Sequence, residues 1–218
     1  MPFWCLFLCV ILVLSFRHIS IENRWKIGGN KMKGLSIKMI YDEVSEKHSI
    51  RVSKITKILA QKVHESNPKV DVDMIAEAAL YHDIGKAEVP TEVLNKAGRL
   101  SDEEFTLIKN HSAIGANIIM KASDKEPVME MAYKIARWHH ERYDGHGYPD
   151  QLVGDEIPLE AQITSVADVY DALTSERPYK KAFSGEKAIS MIMHGDCGCF
   201  NPKLLQCLKA CKSQLCIA

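Results

Sequence analysis

The sequence predicts an all-α fold, on three observations. Apolar residues recur every three to four positions through long windows, the period of one face of an α-helix. Few stretches alternate apolar and polar residues as a half-buried strand would. Residues that start or stop helices stand between the windows, among them Ser101-Asp102-Glu103-Glu104 and Asn67-Pro68. At 218 residues the chain suffices for one sizeable domain and a short appendage.

Residues 1–35 are set apart by composition. Phe3 to Phe16 is apolar except for Ser15, a run of 14 residues, against the roughly 17–25 of a transmembrane helix. No Lys or Arg precedes the run and no A-x-A-like site follows it, so it makes a poor secretory signal. Arg17, Arg24, Lys26, Lys31, Lys33 and Lys38 then face a single acid, Glu22. If the run inserted, this basic flank would hold the remainder on the cytoplasmic side. Three readings stay open: a membrane anchor, a buried helix, or an extension upstream of a start at Met32 or Met39. Gly28-Gly29-Asn30 and Gly34 read as a linker, which leaves residues 36–218 as the folded domain.

The first helix is expected over Ser36 to Ser66, with Ile37, Ile40, Val44, His48, Val52, Ile55, Leu59 and Val63 on one stripe. Asp73 can cap a second, Met74 to His82. On such a helix His82 and Asp83 would diverge by about 100°, and Gly85 would turn the chain so that Lys86 lies back over them. The capping box at Ser101 to Glu104 opens a helix carrying Phe105, Ile108, His111, Ile114, Gly115 and Ile118. Pro127 to Trp138 and Leu159 to Thr174 follow, the latter turning Ile163, Val166, Ala167, Tyr170 and Leu173 inward. Asp168 lies beside that face and Asp171 one turn on; a lone buried aspartate is costly unless paired or metal-bound. Ser184 to His194 reads as another helix, and a last one runs from Pro202 to about Leu215. In total about seven or eight helices are expected.

Charge and cysteine content narrow the function. With 28 basic and 28 acidic residues, no overall field recruits a nucleic-acid polymer, so an anionic ligand must be held by local positive charge. The seven cysteines lie at the two ends of the chain, and their odd number argues for a reducing, cytoplasmic setting. Cys197, Cys199, Cys207 and Cys211 have a spacing that could hold zinc, although small buried cysteines are the better reading.

The stretch His139-His140-Glu141-Arg142-Tyr143-Asp144-Gly145-His146-Gly147-Tyr148-Pro149 makes poor sense as packing. Two imidazoles need satisfied nitrogens, and the Gly-Pro loop after them has little to bury. As half of a metal site it makes good sense. Tyr81-His82-Asp83-Ile84-Gly85-Lys86 and the carboxylates at Asp168 and Asp171 offer the other half.

Those residues carry a resemblance. His82-Asp83-x-Gly85-Lys86 is similar to the signature of the HD metal-dependent phosphohydrolases. His139-His140-Glu141-x-x-Asp144-Gly145-x-Gly147-Tyr148-Pro149 resembles the HD-GYP branch at every specified position. The likeness runs from about Val44 to about Leu208. It implies an HD-type helical bundle with a buried two-metal site and cyclic di-GMP phosphodiesterase activity. Because HD proteins take a ligand from the preceding helix, it implies His48 as well.

The implied ligands are His48, His82, Asp83, His111, His139, His140 and Asp168. Imidazoles and carboxylates without thiolate suit two divalent transition-metal ions, iron or manganese first. Asp83 would bridge them, with His48, His82 and Asp168 on one ion and His111, His139 and His140 on the other. Asp83 and Lys86 would be catalytic, Lys86 holding a phosphate oxygen or assisting the leaving alkoxide. Gly147 and Tyr148 would border the pocket, with Tyr148 stacking on a base, while Arg177 and Lys180 would meet the guanine or phosphate of a cyclic dinucleotide. Glu141, Asp144 and Asp171 would fix the loop and orient imidazoles rather than bind metal.

Some family members bind a third metal through a glutamate one turn before the first histidine. Here that position is Val44, with Glu43 and Glu46 on other faces, so two ions and a linear dinucleotide product are expected. A hydrolase for another nucleotide, such as a mixed cyclic dinucleotide, is the enzymatic alternative. A non-catalytic regulatory module is disfavoured because every expected ligand and Lys86 are retained. The residues before Ser36 are too few for a sensor domain, so the input signal is not legible; a homodimer or a signalling-protein partner stays open.

Overall fold

The computed structural model describes residues 43–122, 126–176 and 181–216, with side chains from residue 46. The apolar run at 3–16, the linker, the Val44 side chain, Arg177 and Lys180 lie outside the described residues. The described part is helical: eight helices of at least eight residues, two single turns and two short 3-10 segments. Among the described residues the sole β feature is an isolated bridge between Asp144 and Val153. No described helix is long and apolar enough to cross a membrane.

Helix α1, Glu43–His64, turns His48, Val52, Ile55, Leu59, Ala60 and Val63 into the interior. Burial of each large apolar side chain on that stripe contributes roughly 1.5–3 kcal/mol. Asn67 closes the helix by donating its backbone N–H to the Val63 carbonyl at 2.9 Å, and Pro68 cannot continue it.

Helix α2 spans Val72–Ala79, and its cap is Asp71 rather than Asp73. The Asp71 carboxylate accepts from the Met74 N–H at 3.0 Å, whereas exposed Asp73 pairs with Lys57 at 2.7 Å. Because α2 ends at Ala79, His82 and Asp83 are not helical, contrary to expectation. They lie in the turn before a 3-10 segment, Ile84–Glu88, and that turn sets their divergence.

Gly85 also has a different role from the one expected. Its backbone shows no left-handed φ; a Cβ there would overlap the His111 carbonyl oxygen and lie 2.5 Å from the Gly115 nitrogen. Gly85 and Gly115 thus let two backbones touch, which draws the 82–86 turn onto the start of the next long helix.

A single turn, α3, covers Thr91–Leu94. The expected long helix after Ser101 is two helices, α4 (Asp102–Lys109) and α5 (His111–Ala122), broken at Asn110. The capping box at its start is present as expected. Helix α6 covers Pro127–Trp138 and α7 covers Leu159–Thr174, both at their expected positions. Ser184 caps α8, Gly185–Met193. The tail splits at Cys211 into α9, Pro202–Ala210, and one turn, α10, Lys212–Leu215.

Helix α7 is central. Every residue from 161 to 173 is buried, not the single inward face expected. It packs against α1, α6, α8 and α9, so it has no wet side. Its polar residues are satisfied from within: Gln162 donates to the Ile157 carbonyl at 2.7 Å and Thr164 to Glu160 at 2.9 Å. One apolar cluster joins α1, α7, α8 and the tail, with Cys197 and Cys211 buried in it. A second joins α2, α5 and α6. Among the described residues no cysteine belongs to a metal-competent group, so the zinc spacing has no counterpart in the fold.

Candidate metal centre

Five elements deliver seven donors to one buried volume. α1 supplies His48, the turn after α2 supplies His82 and Asp83, and α5 supplies His111 at its first residue. His139 and His140 follow the last residue of α6, and α7 supplies Asp168. The donors form two groups able to hold a metal: Asp83, His111, His139 and His140, and His48, His82 and Asp168. None is more than 9% exposed.

Backbone carbonyls set most of the imidazoles. His82 Nδ1 lies 2.9 Å from the Ala79 carbonyl, His111 Nδ1 2.6 Å from Ile108, and His139 Nδ1 3.0 Å from Ile135. A carbonyl only accepts, so each Nδ1 carries the hydrogen and each Nε2 is left as a lone pair. His48 is held differently, its Nδ1 lying 2.7 Å from Asp171 Oδ2.

Asp83 divides between the groups. Its Oδ2 is 3.3 Å from His82 Nε2 and 3.6 Å from His48 Nε2. Its Oδ1 is 3.3 Å from His111 Nε2 and 3.8 Å from His139 Nε2. Lys86, buried, donates to Asp83 Oδ2 at 2.5 Å.

These contacts suit cations. Asp83 Oδ1, His111 Nε2 and His139 Nε2 are buried without a hydrogen-bond partner, a costly state unless a cation takes their lone pairs. His48 Nε2 and His82 Nε2 face each other at 3.2 Å, which requires a proton or a metal between them. The donor set of nitrogen and carboxylate oxygen fits divalent transition metals.

Electrostatics agree. Burial drives the His111 imidazole down to about 4 and His139, beside His82 and His111, to about 3. Burial and His139 push His140 down as well. These rings are therefore neutral near pH 7, as metal ligands must be. His48 differs: burial opposes its charge, but its bonds to Asp168 and Asp171 hold it up at about 9, so an ion bound there would have to displace its proton. Burial opposes charge on Asp83 too, yet Lys86 and His82 keep its carboxyl well below the usual range. For Asp168, bonding to His48 likewise outweighs burial and lowers the carboxyl.

The loop after His140 is held by its own residues. Glu141 is buried, and its Oε1 accepts from the backbone N–H groups of Asp150 at 2.7 Å and Gln151 at 3.0 Å. Asp144 accepts from the His146 N–H at 3.1 Å. All three bonds are to loop backbone. Gly147 packs so tightly that a Cβ would overlap Glu141 and Arg142 backbone atoms. The Tyr148 ring stacks on His140, centroids 4.7 Å apart.

Arg142, Arg137, Arg51 and Asp150 also shape the site, outside the expected set. Arg142 donates to the Glu141 carbonyl and to Ser165 Oγ, each at 2.9 Å, tying the loop to α7. Asp150 accepts from Arg137 and from Trp138 Nε1, each at 2.7 Å, tying the loop to α6. Arg51 donates to Asp171 through Nε at 2.6 Å and Nη2 at 3.0 Å. The available signal was spacing: Arg51 stands three residues after His48, and Asp171 three after Asp168, so each pair shares a helix face.

Comparison with known proteins places this arrangement. The HD domain family model matches residues 35–203. The chain is 39% identical over 165 residues to the cyclic di-GMP phosphodiesterase response regulator RpfG of Xanthomonas campestris pv. campestris (strain 8004), covering 76% of this chain and 43% of that protein. It is 38% identical over 138 residues to 3'3'-cGAMP-specific phosphodiesterase 2 of Vibrio cholerae serotype O1, covering 63% of this chain and 26% of that one. The chain thus spans less than half the length of these relatives. In fold it is similar to Bd1817, an HDG"Y"P protein from Bdellovibrio bacteriovorus, with TM-score 0.60 and 23% identity over 79% of this chain and 54% of that one.

Proposed function

This chain belongs to the HD domain family, in its HD-GYP branch, and we propose that it is a metal-dependent phosphodiesterase that opens cyclic di-GMP to the linear dinucleotide. The observation that carries the proposal is the pair of donor groups meeting at Asp83, with buried lone pairs turned toward one another. His48, His82 and Asp168 would hold one divalent ion, His111, His139 and His140 the other, and Asp83 both. Such a pair would supply Lewis acidity to a phosphodiester and acidify a bound water.

The chain's own residues supply the rest. The carbonyls of Ala79, Ile108 and Ile135 hold imidazole protons on Nδ1 and keep Nε2 available. Lys86 is buried beside Asp83, and its Nζ would meet a phosphate oxygen or the leaving alkoxide. Tyr148 has one face on His140; its other face would stack on a guanine. Gly147 would border the pocket, and Arg177 and Lys180 would contact guanine or phosphate. The absence of a carboxylate at Val44 supports two ions and a linear product.

The test is turnover of cyclic di-GMP and of 3'3'-cGAMP by manganese-loaded and iron-loaded protein, with products separated. Linear dinucleotide from cyclic di-GMP is expected. Preference for 3'3'-cGAMP, as in the relative named for it, would replace the substrate; no turnover of either would sink the reading.

The apolar run at 3–16 and its basic flank support a cytoplasmic location with a tether to the membrane's inner face. The full chain should sediment with membranes, and a chain starting at Met32 should stay in the supernatant with equal activity. A full chain that stays in the supernatant, and unfolds without residues 1–31, would make the run a core helix.

A further inference from the structure

We propose that Arg51 is a positioning residue that acts, through Asp171, on the ion held by His48, His82 and Asp168 and not on the other. This rests on the two-ion reading above.

The basis is an asymmetry between the two donor groups. His111 and His139 are steadied by uncharged backbone carbonyls, as is His82. His48 is the donor steadied by a carboxylate, its Nδ1–H reaching Asp171 Oδ2 at 2.7 Å. The Asp171 side chain is 2% exposed and is itself fixed. Arg51 grips it at two points, Nε on Oδ1 at 2.6 Å and Nη2 on Oδ2 at 3.0 Å, while Ser175 Oγ donates to Oδ1 at 3.2 Å. A guanidinium fork fixes the plane of the carboxylate as well as its charge. With the plane fixed, Oδ2 faces His48 Nδ1, and His48 Nε2 faces Asp168 Oδ1 at 3.3 Å and His82 Nε2 at 3.2 Å.

A carboxylate behind a ligating imidazole sets its orientation and strengthens it as a donor. The Arg51–Asp171 pair reaches the donors through His48, which belongs to one group only. The two ions should therefore respond independently to a change at Arg51. The Arg51 side chain is 45% exposed, so it can be replaced without opening the core.

The experiment is Mn2+ binding to metal-stripped full-length chain, by equilibrium dialysis with metal analysis, for wild type, Arg51→Met and Arg51→Lys. Wild type should show two ions per chain. Arg51→Met should weaken one of them by about 10–100-fold and leave the other unchanged. Arg51→Lys should recover part of the loss, since an ammonium keeps the charge but not the two-point grip. Equal weakening of both ions marks a general structural defect and overturns the proposal, as does no change in either. If wild type itself fails to bind two ions, the two-ion reading falls and the proposal with it. Two unchanged ions in Arg51→Met would overturn the proposal alone.

Discussion

Asp83 and Lys86 touch each other, yet their roles separate on substitution. The two Asp83 oxygens face different donor groups, Oδ2 lying 3.3 Å from His82 Nε2 and Oδ1 3.3 Å from His111 Nε2. A donor shared in this way cannot be lost from one side alone. Asp83→Ala should abolish turnover and weaken both ions by at least the 10–100-fold typical of lesser, outer contacts. Two tightly held ions in that variant would show the donors to be misassigned. Lys86→Ala removes no metal donor. It should keep both ions and slow turnover by about 10²–10³, the usual loss when a charge-stabilising group is removed. An unchanged rate would reduce Lys86 to a structural partner of Asp83.

At the scale of elements, close approach and loop geometry govern. The Gly85 backbone lies against that of His111, with no room for a methyl group. Gly85→Ala must push the 82–86 turn away from α5, at a cost of about 3 kcal/mol or more. In a chain of this size that lowers Tm by roughly 6–12 °C, and metal binding should weaken because Asp83 and His111 ride on the two parts. An unshifted Tm would mean that the turn can slide freely. Gln151 offers the opposite sign. Its φ of 57° is the only positive value among the described non-glycine residues, and Glu141 holds its N–H. Gln151→Gly relieves a left-handed backbone against added unfolded-state entropy, for a net gain of roughly 0.5–1 kcal/mol in thermal or urea unfolding. A loss instead would reveal side-chain contacts that outweigh the strain.

The same elements mark what the sequence made legible. His82-Asp83 and His139-His140 announce themselves because adjacent polar ligands interrupt apolar stripes, and α6 and α7 because Pro127 and long apolar windows bound them. Local rules did not separate Asp71 from Asp73 as a cap, since either carboxylate can accept from a first-turn N–H. The break at Asn110 was hidden because Ile108, His111 and Ile114 keep helical spacing across it. There the Ile108 carbonyl accepts the His111 Nδ1–H at 2.6 Å, a need of the site rather than of the helix. Burial of α7 on every side depends on α1, α6, α8 and α9 arriving together, which no single window encodes. The Arg51–Asp171 grip joins residues 120 positions apart.

For the whole molecule, the buried imidazoles couple stability to pH once metal is stripped. His111 falls to about 4 and His139 to about 3 when folded, chiefly through burial, against about 6.5 when unfolded. For groups lowered in this way the stabilisation is complete above pH 6.5. It is lost as pH falls toward 4 and then 3, because the unfolded chain takes up protons that the folded one refuses. The His111 shift alone corresponds to on the order of 3 kcal/mol. His48 behaves inversely: held at about 9 by Asp168 and Asp171 despite burial, it is charged in both states below pH 6.5 and adds no slope there. Its contribution is instead lost as pH rises from about 6.5 through 9. Metal-free protein should therefore be most stable near pH 6.5–7, with urea midpoints falling on either side and more steeply toward acid. Saturating Mn2+ should raise the midpoint near neutrality by mass action, and that gain should shrink as pH falls below about 9, where the ion must displace the His48 proton, and again below about 4, where His111 takes one up. A midpoint flat from pH 7 to 4 in the stripped protein would mean that these histidines are not buried as neutral rings. A Mn2+ gain independent of pH between 9 and 6 would mean that His48 is not its ligand.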